Sequence, residues 1–340
     1  MAKYIFKSFI IALFFLTSCE FGEEKSKTLP SSSGKYGEVL VVIDSTLFNG
    51  SIGDRVKEIF NKAMPALPQQ ETQFRMANVD PADFKSILKR SRNVFKIELK
   101  ENSKAGVSII RDVWAKNQLL IQISANTLDQ AESILAKNKQ TIRDYYNEEE
   151  LKRLKQQYLK KPQKDLSDKI EKKLQIKLLI PPAFIEMASN ESALWLKKEK
   201  YLGEHQVMQG LIIYSYPYDS DSTFSVDELV ANRNSYTQEL IRGSRDSSFM
   251  AVYEDFKPMK SILNINDQYV AEYRGLWNMK NDFMGGPFIH YTFVDEANNR
   301  VINLDGFVYA PKFNKREYLR ELQAIMNSFE LSSVDQEIID

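Results

Sequence analysis

The chain has 340 residues, which at about 150 residues per domain argues for two domains. Hydrophobic residues make up 43% and charged residues 27%, which excludes wholesale disorder, a collagen-like repeat and a multi-span membrane protein. Lys and Arg number 46 against 46 Asp and Glu, so no global basic field recruits nucleic acid, and the single cysteine excludes an internal disulfide framework or a CxxC site.

Residues 1–18 read as a signal peptide. Lys3 and Lys7 supply a positive start, and Phe9 to Leu16 is an unbroken apolar run of eight residues. That run is too short for a bilayer, which takes about 20 residues, and suits the core of an export signal. Leu16-Thr17-Ser18-Cys19 resembles the bacterial lipobox: a branched apolar residue, two small residues, then cysteine. The resemblance implies cleavage before Cys19 and lipidation of its thiol and new amino group. Several acyl chains on one residue anchor stably where one chain is marginal. Cleavage removes Lys3 and Lys7 and shifts the net charge to about −2.

Residues 19–35 are polar, contain Ser, Gly and Pro, and read as a flexible tether. Glu20, Glu23 and Glu24 resemble the acidic surface-export signal of Bacteroidetes-type lipoproteins. The expected location is the cell envelope, lipid-anchored at the outer membrane. The periplasmic face and the cell surface both stay open.

A first α/β domain is expected over residues 36–175. Gly37 to Asp44 is a β-branched strand run, and Val56, Ile59, Phe60 and Ala63 give the next helix its inward face. Phe74 to Val79 reads as a strand. A helix from Asp80 or Pro81 would turn Phe84, Ile87 and Leu88 inward. Val94 to Leu99 alternates, and Val107 to Trp114 with Gln118 to Ser124 form a hairpin about Ala115-Lys116-Asn117. Thr127 to Lys161 is one long helix with a stripe from Leu128 through Ala131, Leu135, Ile142 and Tyr145 to Leu151, Leu154 and Tyr158. Lys137 to Lys177 holds 13 basic and 7 acidic residues, which read as a solvated helix face. Leu166, Ile170 and Leu174 repeat at i+4 in a further helix.

A second domain is expected over 176–332, with a tail at 333–340. Its elements are a strand at Lys177–Ile180, a hairpin turning at Asn190, a strand at Gly210–Tyr216, and a helix opened by Ser225 with Glu228 at capping-box spacing. Strands follow at 249–254, 260–265, 269–276, 287–295 and 301–309, then a helix at 315–329. The fold class is therefore α+β: two α/β domains, each a mostly antiparallel sheet packed with helices.

Arg274-Gly275-Leu276-Trp277, Asp282 to Phe288, and Leu304-Asp305-Gly306-Phe307-Val308-Tyr309-Ala310-Pro311, with the lipobox, resemble a family of Bacteroidetes lipoproteins known as a domain of unknown function, DUF4837. The resemblance would cover most of the mature chain. It implies an envelope location and an α/β fold, and no activity. The second half also resembles PsbP/Mog1-like sandwich domains at the level of pattern.

No catalytic set assembles in the sequence. His205 and His290 lie 85 positions apart without a surrounding ligand cluster, so both read as structural or surface residues, and no metal or cofactor is implied. Ser86-Ile87-Leu88-Lys89 fits SxxK but lacks its partner motifs. Gly50-Ser51-Ile52-Gly53 sits where an anion could be cradled, but lacks GK[ST] and reads as a plain connection. Carboxylates such as Asp219, Asp221, Glu254, Asp255, Glu272, Asp282, Asp295 and Asp305 are abundant without pattern. Asp305 reads as a surface residue at a bulge.

The most unusual stretch is Glu272 to Phe288, read as a loop at Asn278–Asp282 between two strands. Arg274, Trp277, Phe283, Met284, Gly285 and Gly286 form the candidate ligand or partner surface, since Trp, Met, Phe and Arg are frequent interface anchors; the other reading is a bulky hairpin that closes the second core with Trp277 buried. Tyr214, Tyr216 and Tyr218 share one strand face, as a packing layer or a platform. The expected function is a non-catalytic binding or scaffolding module for an envelope protein or glycan. The alternative is an envelope hydrolase acting on glycan or peptide through paired carboxylates.

Overall fold

The computed structural model describes residues 28–332; the signal, Cys19, the first part of the tether and the tail at 333–340 lie outside them. The first half runs β1 (Glu38–Val42), α1 (Ser45–Phe48), α2 (Ser51–Phe60), β2 (Arg75–Val79), β3 (Asn93–Leu99), β4 (Gly106–Arg111) and β5 (Leu119–Ala125). Its sheet has the order β2-β1-β3-β5-β4. The pairs β1–β2, β1–β3 and β3–β5 are parallel, and β4–β5 alone is antiparallel. This corrects the expected mostly antiparallel first sheet. After β1 the chain crosses back over the sheet through α1 and α2, so the next strand starts from the same end.

Between β2 and β3 the expected helix is absent. One 3-10 turn stands at Ser86–Arg90, and Ser86 has φ +50°, which breaks an α-helix at its start. Ile87, expected inward, is 68% exposed, while Phe84 is buried with Val94 and Leu120. The end of the expected tether is also docked. The amide of Ser33 donates to the Arg90 carbonyl at 2.8 Å and that of Lys116 to Pro30 at 2.8 Å. Backbone pairing fixes a segment whose side chains carry no apolar signal.

α3 (Leu128–Lys160) is capped by Thr127, whose hydroxyl accepts from the Gln130 amide at 3.2 Å. At 1.5 Å per residue it is about 50 Å long. Ala131, Leu135, Ile142 and Tyr146 pack on the first sheet, and Leu154 and Tyr158 enter the second core. Leu128, expected in the stripe, is exposed. The basic run is not all solvated face. Arg153 is buried and donates to Glu150 and to Asn93 Oδ1, both at 2.8 Å, and to the carbonyls of Arg92 and Asn117.

The second half runs α4 (Lys164–Leu174), β6 (Ile176–Lys177), β7 (Ile185–Ser189), β8 (Ala193–Leu202), β9 (His205–Pro217), α5 (Val226–Leu240), β10 (Phe249–Val252), β11 (Met259–Ile265), β12 (Gln268–Lys280), β13 (Gly285–Asp295), β14 (Arg300–Tyr309), α6 (Arg316–Met326) and β15 (Glu330–Leu331). An antiparallel sheet of order β10-β12-β13-β14-β9-β8-β7 carries β11 beside β12 on the edge shared with β10. Helix α5 covers one face. The other face packs against α6, α4 and the end of α3. The strand expected at 177–180 shrinks to the two residues of β6, which pair with β15 ahead of Pro181-Pro182. The expected boundary at 175 assigns α4 to the first half, yet Ile170 and Leu174 are buried in the second core. Their i+4 stripe had to find an apolar face, and the second sheet offers it. Both halves pack helices on sheets, and the fold class is α+β.

Candidate functional site

The expected surface at Arg274–Gly286 is a continuous hairpin. Trp277 pairs with Gly286 and Asn278 with Gly285, and β10 pairs with residues 277–280. Asn278–Lys280 are therefore strand, not loop, because β10 supplies them with a second neighbour. Arg274 and Trp277, three positions apart, point to opposite faces. The Arg274 guanidinium donates to both Glu272 carboxylate oxygens at 2.8 and 3.0 Å. Burial alone would loosen its proton, but the Glu272 charge and hydrogen bonds together outweigh that and raise its pKa. Trp277 is 1% exposed, with its ring edge-on to Phe307 at 5.4 Å. A Cβ on Gly286 would fall 2.0 Å from the Val308 carbonyl oxygen, so this glycine serves close strand approach. Met284 packs partly against the α5-side core, and Phe283 projects from the tip, fully exposed. The six residues do not form one surface.

Beneath α5 lies a buried polar group. His290 stands directly opposite Asp305 in the β13–β14 register. Asp305 accepts from Arg233 Nε at 2.7 Å and Nη2 at 3.1 Å, and His290 Nδ1 lies 3.0 Å from the same carboxylate. His290 Nε2 is 3.1 Å from both Thr292 Oγ1 and Asn303 Oδ1. Asp305, His290 and Arg233 are fully buried, which corrects the expected surface Asp305. A bulge is not needed: β14 runs regularly, and its odd residues face α5, where Arg233 waits. Burial alone would raise the Asp305 carboxyl, but the Arg233 charge and the His290 contact hold it below the ordinary carboxylate value. The guanidinium also rests on the Phe288 ring at 4.2 Å. Glu272 and Asp305 lie on opposite faces of the sheet and do not pair.

This group connects to an open cleft. The rings of Tyr214 and Tyr273 each lie 6.0 Å from His290. The Tyr273 hydroxyl donates to the Phe224 carbonyl at 2.7 Å, and Tyr216 and Thr223 exchange a hydroxyl hydrogen bond at 2.7 Å. Both bonds fix a one-turn helix at Asp221–Phe224 to the sheet. That turn forms one wall of a cleft of about 590 Å³ at the sheet's end. Tyr218, Phe224 and Tyr269 supply aromatic walls, and Phe224 meets Tyr269 edge-on at 5.3 Å. Asp221 and Glu296 supply carboxylates, and Gln268 and Asn299 supply amides. Among the described residues, no lysine or arginine lines it. Tyr218 donates to Asp221 at 2.6 Å, and this bond, together with the Asp221 and Glu296 charges, raises the phenol pKa.

Of the expected tyrosine layer, Tyr214 is buried, Tyr216 half-buried, and Tyr218 lies past the end of β9 in the cleft. Sequence reading named Tyr218 and Asp221 but missed Phe224, Tyr269 and Glu296. Only the turns at Asn266-Asp267 and Asn298-Asn299, both with left-handed residues, hint that these three lie at one sheet end. His205 opens β9 with its ring against Phe313. Gly50 caps α2, and a Cβ on Gly53 would fall 1.7 Å from the Phe48 carbonyl oxygen, so the expected connection is a tight packing of α1 on α2. Ser86 and Lys89 stand in the 3-10 turn beside exposed Ile87.

Residues 163–328 match the family model of a domain of unknown function, DUF4837. Residues 32–159 match a second domain of unknown function, DUF8532. The resemblance expected over most of the mature chain thus divides between two families. No curated protein matches the chain. Among solved structures, a point mutant of the protein Mog1 is 10% identical, covers 47% of this chain and 92% of its own, and has a TM-score of 0.31. The Saccharomyces cerevisiae Ran-binding protein Mog1p is 10% identical, covers 47% and 91%, and scores 0.32. The human StarD13 lipid transfer and protein localization domain is 9% identical, covers 49% and 95%, and scores 0.21. At such scores these likenesses add nothing to what the chain's own elements establish.

Proposed function

From a chain whose second half belongs to the DUF4837 family, a family without an assigned activity, we propose a lipid-anchored protein of the bacterial cell envelope whose second domain binds a glycan. The anchor rests on Leu16-Thr17-Ser18-Cys19 behind a short apolar run. The binding role rests on one observation: the cleft that joins Tyr218, Phe224 and Tyr269 to Asp221, Glu296 and two amides. Aromatic faces pack on the C–H faces of sugar rings, while carboxylates and amides hydrogen-bond hydroxyl groups. The buried Arg233–Asp305–His290 group is part of the scaffold that holds this wall, through Tyr273 and Phe224.

Binding is tested on an array of envelope and capsular glycans, with Tyr269→Ala beside the wild type. Retained binding in Tyr269→Ala, or no glycan bound by the wild type, would refute the reading. Lipidation is tested by palmitate labelling of the wild type and Cys19→Ser. A second reading rests on the two carboxylates that line the cleft, Asp221 and Glu296, of which Asp221 accepts from the Tyr218 hydroxyl at 2.6 Å. If these carboxylates hydrolyse the glycan, mass spectrometry detects cleaved products that Asp221→Asn does not form.

A further inference from the structure

Where the two halves meet, a cleft of about 420 Å³ opens between Tyr36, the last turns of α3, the Pro181-Pro182 segment, β8 and α6. We infer that this cleft binds an anionic group, a phosphate carried on an apolar stem, through the Tyr158 hydroxyl and the ammonium groups of Lys160 and Lys161. The site is separate from the glycan cleft and does not rest on that reading.

Tyr158 carries the inference. Its ring is packed in the second core and only 7% exposed. Its hydroxyl is buried and has no hydrogen-bond partner among the described residues. Leaving a buried hydroxyl unpaired is costly, so such a group is expected to meet an acceptor. Burial raises its pKa far above the ordinary phenol value, with Glu321 and Tyr36 adding to the effect, so it stands as a donor.

The surrounding charges favour an anion. Lys198 and Gln209 both donate to Oε2 of Glu321, at 3.0 and 3.1 Å, so the Lys198 ammonium offsets the charge of the carboxylate that lines the cleft. Lys160 and Lys161 are exposed and pair with no carboxylate among the described residues. Their place at the end of α3 also complements the helix dipole. That role does not account for Tyr158, which faces the cleft from within the core. Leu154 and the two prolines give the stem an apolar wall. Tyr36 closes the first-domain side, its hydroxyl donating to Gln157 at 2.7 Å and its ring stacked on Arg92 at 4.3 Å.

The test titrates the full chain with octyl phosphate and with inorganic phosphate by calorimetry. Octyl phosphate is expected to bind more tightly than inorganic phosphate. Tyr158→Phe keeps the ring in the core and removes only the unpartnered oxygen, so its thermal transition should not fall. It should weaken octyl phosphate binding roughly tenfold, the loss of one hydrogen bond to a charged group. Lys160→Gln with Lys161→Gln should weaken binding similarly and flatten its salt dependence. Unchanged affinity in Tyr158→Phe, or no binding of octyl phosphate, overturns the site. A second arm compares phosphatidylcholine vesicles with and without phosphatidylglycerol. Octyl phosphate competing with the anionic vesicles identifies a lipid headgroup as the source. Octyl phosphate binding without selective vesicle capture identifies a soluble phosphate ester.

Discussion

Asp305 and Arg233, 72 positions apart in the chain, meet through two hydrogen bonds with both side chains fully buried. One comes from the middle of a strand and the other from the helix laid across it. Their pairing therefore reports whether α5 is seated on the sheet. Removing one partner leaves the other charge buried and uncompensated, which costs about 3–5 kcal/mol. Asp305→Asn is expected to lower the urea unfolding free energy by that amount. A loss below about 1 kcal/mol would show that α5 is held without this pair.

The same carboxylate sets a pH dependence. Asp305 titrates below its ordinary value in the folded chain, so its contribution is fully present above the unfolded value. It is lost as pH falls through the lowered folded value, in a window that opens below about pH 4. The stability difference between wild type and Asp305→Asn should stay constant from neutral pH down to about 5 and shrink under more acid conditions. Urea titrations at a series of pH values read this directly. A difference that grows on acidification would contradict it.

Trp277 and Phe283 should respond in opposite ways. Trp277→Ala opens a cavity against Phe307 and Met279 and is expected to cost about 3–5 kcal/mol. Phe283→Ala removes a fully exposed ring and should stay within about 0.5 kcal/mol of wild type. Thermal melts of the two variants separate core from surface in the stretch that the sequence marks as one patch.

Gly286→Ala should destabilise although it adds a single methyl group. The new Cβ would meet the backbone of Val308 at 2.0 Å, where no side chain can swing aside. A loss of about 1–3 kcal/mol is expected from forcing β13 and β14 apart. Gly285→Ala, whose nearest contact is 3.0 Å, is the milder control.

At the start of α3, Thr127→Ala removes the hydroxyl that accepts from Gln130 and should cost about 1 kcal/mol in a denaturant titration. A neutral result would place the start of α3 under tertiary control alone.

The sequence by itself determined the elements whose signal is local. Thr127 and the apolar stripe behind it placed α3, and Ser225 with Glu228 placed the start of α5. Strand alternation separated Phe95 and Ile97 from Val94, which the structure puts on opposite faces of the first sheet. The lipobox reading of Cys19 rests on neighbouring residues alone, and Cys19 lies outside the described residues. Tertiary structure decided everything that depends on which elements become neighbours. The direction of β1, β2 and β3 follows from crossovers, which leave no mark on strand composition. Asp305 looked like a surface residue because its partners, His290 and Arg233, are 15 and 72 positions away. Trp277 read either as the buried residue of a hairpin closing the second core or as a surface anchor, until β10 and α5 enclosed it. The cleft at the sheet's end gathers side chains from three separate segments, and the cleft between the halves from five. Periodicity and capping act over three or four residues, whereas burial of charge and closure of a cleft are settled only once distant faces pack together.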